Sequence, residues 1–278
     1  MFWILLPIVL ILLGLFLIAP SPSRRANAWR GVCFAHRGLH GSGAAENSVE
    51  AFERACRQGF GIELDVQLSK DGEVIVFHDD TLARMTADPR RVDQVAWSEL
   101  KTLSLQGGTD RIPSFGDVLS RIDGRVPLLI EIKNGSHNRM LCEKVLHLLR
   151  GYTGFYLVES FNPLILRWLR IHAPQIIRGQ LVGAKPSYIA ARMGPVGAFF
   201  LSTLSLNFLA RPDFVAYDVS ATHFSAPHVQ RALFHTPLAS WTVRDSETFD
   251  ACLERGEMPI FEGFLPRNTP SSAPKSSI

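Results

Sequence analysis

Residues 61–68 read Gly61-Ile62-Glu63-Leu64-Asp65-Val66-Gln67-Leu68, and this stretch decides the fold. It alternates with the period of a β-strand, so Ile62, Leu64 and Val66 share one face while Glu63 and Asp65 share the other. Two carboxylates on one face of an otherwise apolar strand are costly to bury unless something positive lies between them. A hard divalent cation such as Mg²⁺ or Ca²⁺ prefers oxygen ligands and meets that need.

The strand belongs to a series. Upstream, Val32–Ala35 reads as a strand that runs into His36-Arg37-Gly38, and 48–58 as a helix with Val49, Phe52 and Cys56 on one face. Downstream, the turn Asp71-Gly72 leads to an extended run from Glu73 to Phe77, which ends at His78. Further strands are predicted at 128–132, 155–158, 176–182, 214–217, 238–243 and 258–261. Helices are predicted at 140–149, at 163–171 with proline in the first turn, and from Ala226 and Ser246. Strands alternating with helices imply a mostly parallel sheet covered by helices. About eight such units fit between Val32 and Leu265, the size of a (β/α)8 TIM barrel. An open doubly wound sheet is the alternative, but no dinucleotide glycine fingerprint follows the first strand. Residues 79–113 show little periodicity outside 98–103 and read as an excursion between barrel units, a candidate lid. Leu164, Trp168 and Ile171 predict a helical core stripe.

The strand ends carry the chemistry. Glu131-Ile132-Lys133 repeats the device of 63–65: Glu131 joins the same cation and Lys133 leaves a positive charge on the same face. His78 is followed by Asp79 and Asp80. A lone histidine or a lone Glu-x-Asp says little, but in a (β/α)8 barrel such ends converge on one mouth. Histidine titrates near neutrality and suits proton transfer. His40 adjoins the first of these turns, in a loop or touching substrate. His137, His147, His172, His223, His228 and His235 lack companions at metal spacing and read as surface or core residues.

The bulk numbers agree with a packed enzyme domain. The chain has 278 residues, 46% hydrophobic and 20% charged, which excludes global disorder. A net charge of +3 comes from scattered arginines without a basic run, so nucleic acid is not an expected partner. Cys33, Cys56, Cys142 and Cys252 have neither finger nor redox spacing and read as small core residues. Phe2 to Ala19 is uncharged and apolar, about 27 Å long as a helix. Residues 1–22 are therefore expected to be a single-pass transmembrane anchor. Arg24, Arg25 and Arg30 would then place the catalytic domain, 30–265, on the cytoplasmic side. A cleaved signal peptide with Ala26-Asn27-Ala28 as its site, and export, is the alternative. Residues 266–278 read as a disordered tail.

The residues also resemble a known family. FAHRGLHGSGAAENSVEAFERACRQGFGIELDVQLSKDGEVIVFHDDTLARMT at 34–86, IPSFGDVL at 112–119, LLIEIK at 128–133, VESFNPLILRWLR at 158–170 and ASWTV at 239–243 resemble the glycerophosphodiester phosphodiesterases. The resemblance implies a (β/α)8 barrel that uses a divalent cation to hydrolyse glycerophosphodiesters to an alcohol and glycerol 3-phosphate. By position it makes Glu63, Asp65 and Glu131 the metal ligands, and His36 and His78 the general acid and base. It makes Arg37 and Lys133 phosphate contacts, puts Glu46 and Asn47 near the mouth, where Glu46 assists the metal or the glycerol hydroxyls, and has Trp241 line the pocket. One departure stands out. The family's last strand commonly ends in a Gly-Val-Asp-Gly-Ile-Ile-Thr-Asp-like run, whereas here Glu257-Met258-Pro259-Ile260-Phe261-Glu262-Gly263-Phe264 lacks the Thr-Asp pair. Two other functions fit the same residues: a lysophospholipase D acting on lysophospholipids, and a membrane-tethered barrel that binds phosphodiesters without turnover.

Overall fold

The computed structural model describes residues 2–183, 194–221, 226–267 and 274. Its strands are β1 (Phe34–Ala35), β2 (Gly61–Leu68), β3 (Val74–Val76), β4 (Leu128–Ile132), β5 (Tyr156–Ser160), β6 (Arg178–Val182), β7 (Phe214–Asp218), β8 (Leu238–Val243) and β9 (Met258–Phe261). They pair in the order β1-β9-β8-β7-β6-β5-β4-β2, and β1 returns to β2 to close the circle. Every pairing in that ring is parallel, so the expected eight-stranded (β/α)8 barrel is the observed fold. The run ending at His78 is not a barrel strand. β3 folds back antiparallel on β2, because the tight turn at Asp71-Gly72 leaves no chain for a parallel crossover.

The helices are α1 (Phe2–Ile18), α2 (Val49–Gln58), α3 (Ala83–Thr86), α4 (Trp97–Leu100), α5 (Phe115–Ile122), α6 (Asn138–Leu149), α7 (Pro163–His172), α8 (Gly194–Ser202), α9 (Asn207–Ala210), α10 (Ala226–Phe234) and α11 (Ser246–Glu254). Their starts follow local chemistry. Ser48, Ser114, Asn162 and Asp245 each accept a hydrogen bond from a first-turn N–H of the helix they precede. α3, α5, α8 and α9 have no counterpart among the predicted helices. In α7 the expected core stripe is borne out only at Trp168, which packs half-buried against the core: Leu164 and Ile171 are 60% and 52% exposed, and Ile165, Leu166 and Leu169 are buried instead. Both sets satisfy helical spacing, so periodicity alone does not choose between them.

Strand alternation divides the core in two. One set, including Ile62, Leu64, Val66, Leu128, Ile130 and Ile132, packs with α2, α5, α6 and α7. The other, with Phe34, Leu129, Leu157, Leu181, Phe214, Met258 and Ile260, fills the barrel interior. Ala26 and Trp29 join that interior cluster from the N-terminal segment, and Trp29 stacks on Phe34. The excursion at 79–113 is folded around a small core of its own, in which Leu82, Met85, Val92, Val95, Leu100, Leu105 and Ile112 pack on Ile75 and Phe77. Cys33, Cys142 and Cys252 are buried, Cys56 is half-buried, and all four are free thiols.

The expected transmembrane helix is not borne out: among the described residues no helix is long and apolar enough to cross a membrane. α1 has 17 residues, about 26 Å at helical rise against about 30 Å of hydrocarbon. Its last turn is tied to the barrel. Asn207 and Gln230 donate to the Ile18 carbonyl, Arg211 donates to those of Phe16 and Ala19, and the Arg211 guanidinium lies over the Phe16 ring. Most of the expected disordered tail, and His223, lie outside the described residues.

Candidate active site

Alternation sets the polar layer above the apolar interior. On β4, Leu129 is followed inward by Glu131 and then Lys133; on β5, Leu157 is followed by Glu159. Parallel register then aligns Asp65 with Glu131 and Glu131 with Glu159 across β2, β4 and β5. Glu63, Asp65, Glu131 and Glu159 are all buried. Among the described residues, Glu63, Asp65 and Glu131 offer carboxylate oxygens within 4.8 Å of one another. Glu63, Glu131 and Glu159 line a cavity of about 520 Å³, together with His36, Arg37, His78, Trp241 and Glu262.

The charges around this row are partly paired. Lys133 Nζ lies 2.9 Å from Glu131 and 3.4 Å from Asp65 Oδ1. The Asn47 side-chain amide donates to Asp65 Oδ2. Burial works against the Asp65 charge, but Lys133, His78 and Arg37 outweigh it and hold the carboxyl below its usual range. Burial pushes Glu131 up to about 7 despite Lys133, and lifts Glu63 and Glu159 well above the ordinary carboxylate range. Among the described residues, the buried Asp65 Oδ1 and Glu159 Oε2 have no hydrogen-bond donor, Asp65 Oδ1 having only the 3.4 Å approach of Lys133. An acidic layer with unspent oxygens fits a hard divalent cation, and Glu63, Asp65 and Glu131 are the side chains that would hold it.

The expected flanking residues sit where the strand ends deliver them. The His36 N–H donates to the Phe261 carbonyl at the β1–β9 seam. Arg37 follows in the left-handed region (φ 53°), and its N–H donates to Glu63 Oε2 at 2.9 Å. Gly38, at φ 80°, is required there: a Cβ would meet Ala51 and Phe52 atoms at 2.9 Å. The Phe77 N–H donates to the Asp65 carbonyl, which brings His78 to the same mouth. His36 Nδ1 lies 2.5 Å from Glu262 Oε2, and His78 Nδ1 lies 2.6 Å from Asp79 Oδ1. Burial lowers both histidines below their ordinary pKa, although Glu262 and Asp65 respectively oppose it. Trp241 forms a wall edge-on to Phe161, and among the described residues its Nε1 has no hydrogen-bond partner.

Glu46 lines the same cavity, and its carboxylate is bound by two arginines. It accepts from Arg37 Nη1 at 2.7 Å and from two Arg84 nitrogens at 2.6 and 2.8 Å. Arg84 also donates to both Asp79 oxygens. Sequence reasoning missed Arg84 because it lies in the aperiodic excursion. It missed Glu159 because the apolar run of β5 ends at Val158, and it left Glu262 without a partner.

A closed parallel barrel with a buried carboxylate layer between two carboxylate-bound histidines defines a class of acid–base site able to hold a metal. The chain's residues 36–263 match the glycerophosphoryl diester phosphodiesterase family, and the chain belongs to it. It is 36% identical to the uncharacterised protein YqiK of Bacillus subtilis over 159 residues, 53% of this chain and 65% of that one. It is 34% identical to a glycerophosphodiester phosphodiesterase of Caldanaerobacter subterraneus subsp. tengcongensis over 173 residues, 57% and 71% of the two chains. Among solved structures, an Oleispira antarctica phosphodiesterase in complex with the product sn-glycerol-3-phosphate superposes with a TM-score of 0.66 at 24% identity, over 83% of this chain and 92% of that one.

Proposed function

We propose that this protein hydrolyses glycerophosphodiesters to an alcohol and glycerol 3-phosphate, with His36 and His78 moving protons beside one Mg²⁺ or Ca²⁺ held by Glu63, Asp65 and Glu131. The observation that carries this reading is the approach of those three buried carboxylates to within 4.8 Å of one another, in a cavity that both histidines line. A phosphodiester carries one negative charge and gains more as attack proceeds. Arg37 and Lys133 oppose that charge from opposite ends of Asp65. When bound, the cation supplies Lewis-acid polarisation of the phosphoryl oxygens. One histidine takes the proton of the attacking hydroxyl, that of water or of the glycerol 2-position, and the other protonates the leaving alkoxide; after attack by the 2-hydroxyl, water opens the cyclic phosphate to glycerol 3-phosphate. Glu46 holds Arg37 and Arg84 in place, and Trp241 forms one wall for the substrate.

The purified full chain with Mg²⁺ or Ca²⁺ and glycerophosphocholine is expected to release glycerol 3-phosphate. Absence of turnover on every diester, together with unchanged ligand binding in His36→Ala, would instead favour a barrel that binds without reacting. The apolar wall of Phe161, Leu181, Trp241 and Ile260 favours one second reading, a lysophospholipase D. Faster turnover of lysophosphatidylcholine than of glycerophosphocholine would establish it.

The location is also a proposal. The exposed apolar side chains of α1, among them Leu10, Ile11 and Leu12, support attachment to a membrane. Arg24, Arg25 and Arg30, just after α1, are suited to contact with the anionic cytoplasmic leaflet, which supports a cytoplasmic catalytic domain. Burial of Ala26 in the barrel floor argues for an uncleaved segment, because cleavage after Ala28 would remove it. Extraction of the protein from membranes by salt alone would contradict the attachment.

A further inference from the structure

The last strand ends in a carboxylate that the acidic layer does not use. Glu262 directly follows β9, and its N–H donates to the Val243 carbonyl of β8 at 3.0 Å. On the other side, the Phe261 carbonyl accepts from the His36 N–H at 2.9 Å. The seam that closes the barrel therefore fixes the backbones of Glu262 and His36 against each other. Their side chains meet, with Glu262 Oε2 2.5 Å from His36 Nδ1. The other carboxylate oxygen, Oε1, is 2.6 Å from Arg244 Nη2, and His40 Nε2 stands 3.7 Å from Oε2. Glu262 is thus held at both oxygens, and His36 turns its second nitrogen, Nε2, toward Glu63 at 3.9 Å.

We propose that Glu262 is the positioning residue of His36: it accepts the Nδ1–H, fixes that tautomer, and leaves the Nε2 lone pair facing the reaction cavity. This rests on the proposed role of His36 in proton transfer. The chemistry is general, because an imidazole can receive a proton at one nitrogen only if its hydrogen sits on the other. A carboxylate behind the ring decides which nitrogen that is. Arg37, just after β1, and Asp65 and Glu63 on β2 also face the ring, Glu63 on the Nε2 side, but Nδ1 is left to Glu262. Arg244 keeps the carboxylate from rotating away, so it supports the ring at one remove. The departure from the family's strand-end text thus places a carboxylate where it meets a catalytic histidine.

The test uses the full chain with Mg²⁺, glycerophosphocholine as substrate, and ¹⁵N-histidine NMR. Glu262→Ala is expected to lower kcat about 10- to 100-fold with KM nearly unchanged, the usual range for losing such a supporting partner. Glu262→Gln keeps an acceptor oxygen and is expected to fall between Glu262→Ala and wild type. In His36→Ala, adding Glu262→Ala is expected to cost nothing more, because Glu262 acts through that ring. The ¹⁵N shifts of His36 are expected to report hydrogen on Nδ1 in wild type and a mixed or reversed tautomer in Glu262→Ala. Hydrogen on Nε2 in wild type, or additive losses in the double variant, would overturn the proposal. The NMR result needs no turnover, so an inactive wild type would refute the proposed function and leave this inference to be judged separately.

Discussion

Asp65 and Glu131 stand in register across β2 and β4, with Lys133 Nζ between them at 3.4 and 2.9 Å. Among the described residues, Lys133 and Arg37 face four buried carboxylates, Glu63, Asp65, Glu131 and Glu159, so the layer is electrostatically incomplete by itself. Asp65→Asn and Glu131→Gln are each expected to weaken Mg²⁺ or Ca²⁺ binding, measured by calorimetry. They are also expected to lower kcat/KM about 10²- to 10³-fold, the scale of losing one electrostatic partner in an active site. Unaltered cation affinity in both variants would remove these residues from the ligand set.

The acidic layer should make the cation-free protein less stable as pH rises. Glu131 has its folded pKa raised from 4.5 to about 7 by burial. A raised carboxyl pKa contributes stability fully present below the unfolded value and lost as pH climbs through the folded value. The shift for Glu131 alone is worth about 3 kcal/mol. Asp65 and Glu262 are shifted downward and act only in the acid range, where their contribution is lost as pH falls. His36 and His78, whose pKa burial lowers, act in the opposite sense and add stability as pH rises toward 6.5. Thermal melts in EDTA are therefore expected to decline above about pH 6.5, where Glu131, Glu63 and Glu159 are still ionising. Added Mg²⁺ or Ca²⁺ should raise the melting temperature most at the alkaline end. A cation effect that is independent of pH would contradict this.

The two histidines should separate by leaving group. His36→Ala and His78→Ala are each expected to lose about 10²- to 10⁴-fold on glycerophosphocholine. On a 4-nitrophenyl diester, whose leaving group needs no proton, only one of the two variants is expected to recover, and that one identifies the general acid. Equal losses on both substrates would show that neither histidine protonates the leaving alkoxide.

Arg84 bridges Glu46 and Asp79 with four hydrogen bonds, and so links the clamp on Arg37 to the partner of His78. Arg84→Ala is expected to lower kcat/KM about 10- to 100-fold, as for other residues that orient a functional side chain. Arg84→Lys should not restore it, because an ammonium cannot bind two carboxylates with a planar fork. Full activity of Arg84→Lys would reduce the contact to simple charge.

Much of the barrel is legible in the chain because its inner and outer residues alternate around apolar strands. Glu63, Asp65 and Glu131 stand out against Ile and Leu neighbours, and parallel register then brings them together. What is illegible depends on contacts distant in sequence. The Arg84 bridge joins positions 46, 79 and 84 through an aperiodic insertion, and the Glu262–His36 pair joins the two ends of the ring. Glu159 lies one residue beyond the apolar run of β5, where alternation has no further signal to give. The stripe at Leu164 and Ile171 shows the reverse failure: a periodic pattern that packing does not use. The apolar α1 shows that hydropathy sets composition while Pro20–Ser23 and the ties to Asn207, Gln230 and Arg211 set where the helix stops.

The most direct measurement is glycerol 3-phosphate release from glycerophosphocholine by the purified full chain, before chelation, after EDTA, and after Mg²⁺ or Ca²⁺ is restored. Turnover that disappears with EDTA and returns with the divalent cation is expected. Turnover that EDTA leaves untouched, or no turnover with either cation, would contradict a metal-assisted phosphodiesterase built on Glu63, Asp65 and Glu131.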